Sequence, residues 1–69
     1  MAQRLDVQAE LAGIQVQIPA GRERARAMRQ LAQRCIQAVS DSSAPEVKHR
    51  LATQARYIQR RADRERSRR

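Results

Sequence analysis

Sixty-nine residues make one small domain, with a single Tyr and no Trp or Phe; ordering such a chain costs about as much as burying its few large apolar side chains returns, so a homo-oligomer, most simply a two-fold dimer, is expected. The net charge is +8 and Arg supplies all but one of the 15 basic residues; the planar Arg fork suits phosphate and carboxylate, which points to a polyanionic partner, against the plainer reading of a solvated helical surface. No apolar run long enough to span a bilayer and no export signal is present, and the lone cysteine cannot close an internal disulfide, so a membrane span and a disulfide-built secreted scaffold are excluded and a cytoplasmic protein is expected.

Residues 1–13 form an N-terminal segment that suits helix or strand. Leu5, Val7, Ala9 and Leu11 alternate as in a strand, while Val7, Leu11, Ile14 and Ile18 recur at helical spacing, and Gly13 is placed to end a helix. Arg4 against Asp6 and Glu10 gives this stretch a net charge of −1. The next five residues, "IQVQI" at 14–18, alternate strictly and include three β-branched side chains, which predicts a short strand. A lone strand cannot satisfy its own backbone, so it must pair with residues 5–11 or with its copy across a dimer. In the second arrangement Ile14, Val16 and Ile18 face the helices, and Gln15 and Gln17 face outward. A two-stranded ribbon fits the DNA major groove, and Gln can make two hydrogen bonds to adenine.

A helix is predicted over about 22–40. Met28, Ala32, Cys35 and Val39 repeat at spacings of four, three and four on one face, with Leu31 and Ile36 flanking it. Cys35 reads as a small buried apolar residue. Arg22, Arg24, Arg26 and Arg29 cover the rest of the circumference as an anion-binding surface, with Arg22 and Arg24 the least tied up and placed for phosphate. "SDSSAPE" then interrupts. Ser43 and Glu46 have the spacing of a capping box, and Pro45 suits a first turn. The second helix is predicted over about 44–64, with Leu51, Ala55, Ile58 and Ala62 on its apolar face and Val47 one turn earlier. The fold class is therefore mainly α: a helical hairpin preceded by a short strand, the unit spanning 14–62 and completed as a homodimer. Residues 63–69, "DRERSRR", have nothing left to bury and read as a flexible basic tail. Arg60, Arg61, Arg64, Arg66, Arg68 and Arg69 make an arm that would order along phosphates.

The "IQVQIP" alternation, the following helix, the Ser-initiated turn and the second striped helix together resemble the ribbon–helix–helix family of dimeric DNA-binding proteins, over residues 14 to about 60. The resemblance implies that Gln15 and Gln17 read bases and that the backbone near Ser43 and Ala44 clamps a phosphate. The chain departs from that pattern in its longer first helix, in the missing inter-helix glycine, in Pro45, and in the acidic segment before the strand.

No catalytic constellation, metal-ligand spacing or cofactor motif is present. His49 is a lone surface histidine, and a core this small leaves no room for a pocket around Cys35 and His49, so an enzyme is not expected and no metal or cofactor is implied. Tyr57 reads as a half-buried edge residue, with base stacking as the sharper alternative. Two functions fit. One is a small basic nucleic-acid-binding dimer, a DNA-binding regulator or a plasmid or phage accessory factor. The other is a protein-binding module, such as a phage-type inhibitor or adaptor, that sets an Arg-rich face on an acidic protein. A basic helix on an anionic membrane is weaker, for want of a bulky apolar face. An intermolecular ribbon at 14–18 would favour the first; a helix or an intrachain hairpin over 3–18 would favour the second.

Overall fold

The computed structural model describes residues 6–67, apart from the side chain of residue 67. It contains three helices, α1 (Val7–Gln17), α2 (Arg22–Asp41) and α3 (Pro45–Ser67), and no strand among the described residues. The expected strand at 14–18 is thus corrected: residues 14–17 are the last turn of α1, and only Ile18 is extended. The ribbon–helix–helix resemblance loses the ribbon it rested on.

The physical reason lies in what the segment can pair with. Asp6 caps α1, its side chain accepting the Ala9 N–H at 3.1 Å, and Glu10 stands in the first turn. A helix started this way satisfies each later N–H internally, whereas a five-residue strand needs a second strand to do so. The β-branched residues cost only tenths of a kcal/mol each in a helix. Val7, Leu11 and Ile14 then fall on one face and pack against the core. Val16 is the residue that does not fit, 84% exposed on the far side. Pro19 ends the helix, because the residue before a proline is pushed into the extended region where Ile18 sits, at φ −117°, ψ 123°. Gly21 completes the turn at φ 139°, a conformation that L side chains rarely adopt.

α2 and α3 run antiparallel and make the main contact of the fold, and α1 lies chiefly on α2. Ala25, Met28, Leu31, Ala32 and Cys35 of α2 meet Ala55, Ile58 and Ala62 of α3, and Val7 of α1 joins the same core. Four of these nine buried residues are alanine, which lets the backbones approach closely and limits the apolar area removed from water. Val47, expected on the apolar stripe of α3, is 42% exposed because the first turn of α3 is little covered.

The inter-helix turn departs from the expected capping box by one residue. The Ala44 carbonyl accepts the first helical bond of α3, from the Lys48 N–H at 3.0 Å, so Ala44 takes the cap position and Pro45 is the first helical residue. The proline forces this, since the residue before it is disfavoured in the helical region. Ser42 rather than Ser43 bonds locally, its hydroxyl accepting the Ala44 N–H at 3.3 Å. At the far end α3 continues through residues 63–67, where a flexible tail was expected. Residues 1–5 and the tail arginines Arg68 and Arg69 lie outside the described residues.

Cys35 is fully buried, and burial pushes its thiol above the usual range, with Arg34 lowering it and Glu10 raising it by smaller amounts. Little reactive thiolate is therefore present at neutral pH. A thiol reagent at pH 8 is expected to modify Cys35 at least ten times more slowly in buffer than in denaturant. Equal rates would contradict this packing of α2.

Candidate nucleic-acid interface

The described arginines of α2 divide into two groups by what their helix faces meet. Arg22, Arg26 and Arg29 succeed one another at spacings of four and three, on a face of α2 turned away from α1. Arg66 approaches them from the last turn of α3, because antiparallel packing brings the start of α2 beside the end of α3. With Ala25, Gln30 and Gln33 these four arginines line one shallow cleft, and no carboxylate takes part in the lining. Four like charges around one cleft repel each other unless an anion sits among them, so the arrangement favours a polyanion electrostatically.

Arg24 belongs elsewhere, against expectation. Its Nε donates to the Ile18 carbonyl and its Nη2 to the Gln15 carbonyl, both at 2.8 Å, and its Nη1 meets Glu65 Oε1 at 3.3 Å. The other Glu65 oxygen accepts the Gly21 N–H at 3.3 Å. One guanidinium thus caps the exposed carbonyls at the end of α1, and one carboxylate caps the start of α2 and neutralises that guanidinium. Both side chains are largely buried, Arg24 at 17% and Glu65 at 8% exposure. Arg24 is a structural residue and is withdrawn from the anion-binding set. Arg34 is likewise paired, with Glu10 of α1, but in an exposed geometry that contributes little to stability.

Gln15 and Gln17 do not form a reading pair. Two residues apart on a helix, they point to different sides. Gln15 lines a cleft between α1 and α3 with Tyr57, and Gln17 lines one between α1 and α2 with Arg34. Ser43 is exposed in the inter-helix turn, at the opposite end of the hairpin from the arginine cleft.

On α3, Arg60 and Arg64 are exposed and Arg61 is half-buried. Arg61 donates to the Tyr57 hydroxyl at 3.1 Å, its guanidinium carbon 5.8 Å from the ring centroid, at the outer limit of a cation–π contact. Tyr57 itself is 53% exposed. Sequence reasoning passed over Arg50 and Arg56, which share the outer surface of α3 with these residues. The spacing of four through Arg56, Arg60 and Arg64 was the available signal.

Among the described residues no three His, Cys, Asp or Glu side chains gather as a metal site. No described helix is long and apolar enough to cross a membrane. No family model, curated protein or solved structure matches the chain.

Proposed function

We propose that this is a small nucleic-acid-binding protein, a DNA-binding regulator or accessory factor acting in the cytoplasm. The observation that carries the reading is the cleft in which Arg22, Arg26 and Arg29 of α2 meet Arg66 of α3 with no acid in the lining. Phosphates recur at regular short intervals along a nucleic acid, and a rigid helical hairpin holds a row of guanidinium groups to meet them. A two-fold dimer belongs to the same proposal: a core of nine buried residues among those described, four of them alanine, gains from a second copy.

A second reading has its own observation. Residues 7–17 are helix rather than ribbon, which removes the base-reading strand and favours a module that binds an acidic protein. The half-exposed Tyr57 with Arg61 across it is the kind of pair found at the centre of such contacts.

A fluorescence-anisotropy titration on random duplex DNA, with the solution mass measured alongside, separates the two. Engagement of about six phosphates predicts roughly a 10³-fold loss of affinity between about 50 and 200 mM salt. Absence of binding at the lower salt would remove nucleic acid and leave the acidic protein.

A further inference from the structure

We propose that α3 is a groove-binding helix, seated in the major groove of duplex DNA with arginines on both of its flanks; this rests on the nucleic-acid reading above. At about 100° per residue, Arg66, Arg56, Arg60, Arg64, Arg50 and Arg61 succeed one another around about 220° of the helix. Five of them are exposed and Arg61 is half-buried. The remaining arc holds the core-facing residues from Leu51 to Glu65.

The width of that arc is what selects the ligand. A helix laid along one strand, or on an acidic patch of a protein, needs cations on one flank. A helix inside a groove has a phosphate wall on each side and base edges in front, and so needs cations on both flanks and polar side chains along the crest. The crest here is Arg56, Arg60 and Arg64, and arginine is the commonest specific partner of guanine O6 and N7. Arg66 continues one flank into the cleft with Arg22, Arg26 and Arg29, and Arg61 marks the other beside Tyr57. Asp63 also lies on the arc and lowers its charge by one. From Arg50 to Arg66 the helix rises about 24 Å, roughly seven base-pair steps. A helix about 10–12 Å across fits a groove about 12 Å wide.

The same geometry disfavours other polymers. The A-form major groove is too deep and narrow to admit a helix. Single strands are held by stacking on aromatic side chains, and Tyr57 is the only aromatic residue, with Arg61 already against it.

Competition and chemical protection test this together on the full chain. Unlabelled duplex DNA is expected to displace a labelled duplex at concentrations at least ten-fold lower than duplex RNA or single-stranded DNA of the same sequence. At saturation, dimethyl sulfate should find guanine N7, in the major groove, protected and adenine N3, in the minor groove, reactive. The double variant Arg56→Ala/Arg60→Ala should lose both the preference and the N7 protection while keeping its helical circular dichroism, alanine being the better helix former. Equal competition by duplex RNA, protection of adenine N3, or a double variant with preference intact would each overturn the assignment. Failure to bind any of the three polymers is a different result: it removes the nucleic-acid reading itself, and the groove helix with it.

Discussion

Glu65→Ala is expected to remove about 3 kcal/mol of folding stability, near the lower end of the cost of deleting one member of a buried ion pair. The total available to a domain this small is roughly 3–10 kcal/mol, so the loss is between about a third and all of it. The loss has three sources at one place. Arg24 keeps its charge at 17% exposure with no carboxylate beside it, Gly21 loses the acceptor of its N–H, and the link between the end of α1 and the end of α3 is broken. The 3.3 Å contacts are longer than the best charge-assisted hydrogen bonds, which is why the lower end of the range is expected. Urea denaturation monitored by circular dichroism measures it. Glu65→Gln retains the shape and one acceptor and should cost about half as much. A loss under about 1 kcal/mol for Glu65→Ala would mean that the carboxylate is solvated and that α3 ends before it.

That ion pair was legible in the sequence. The apolar stripe of α3 runs Leu51, Ala55, Ile58, Ala62 at spacings of four, three and four, and the next step of three lands on Glu65. In α2, Arg24 precedes Met28 by four, so an acid and a base continue two facing stripes at the same end of an antiparallel hairpin. Taking the stripe to end at Ala62 turned an anchored helix end into an expected tail. The alternation at 14–18 misled for the opposite reason. Period two is a property of side chains, but whether it yields a strand depends on a partner for the backbone. The competing spacing of Val7, Leu11, Ile14 and Ile18, together with the Asp6 cap, decided for helix. The position of the cap in the inter-helix turn hung on Pro45 acting on Ala44, a one-residue effect that the capping-box spacing by itself conceals. The arginine cleft was half legible: Arg22, Arg26 and Arg29 share a face by periodicity, but Arg66 joins them only once the antiparallel packing is known.

Replacing the four cleft arginines together, as Arg22→Ala/Arg26→Ala/Arg29→Ala/Arg66→Ala, is expected to weaken binding to duplex DNA by at least roughly 10³-fold near 50 mM salt. Each phosphate contact contributes about 0.9 to the slope of log affinity against log salt, so the slope should fall by about 3.6. A general loss of folding cannot imitate this. Removing Arg22 and Arg26 relieves a like-charge pair four apart and takes a cation from the start of α2, both favourable by a few tenths of a kcal/mol. Removing Arg66 gives back a similar amount at the end of α3. Stability is therefore expected to stay within about 0.5 kcal/mol of the parent while affinity collapses. Arg24→Ala should behave in the reverse way. It destabilises, through the stranded Glu65 carboxylate and the uncapped carbonyls of α1, and at a temperature where it remains folded its salt slope matches the parent. Arg34→Ala, from an exposed pair, should change neither. If the four-fold variant kept the parent slope, phosphates would be meeting other arginines and the cleft would not be the interface. If Arg24→Ala lowered the slope as much as a cleft arginine, Arg24 would have to leave its helix-end contacts on binding, and α1 would have to come away with it.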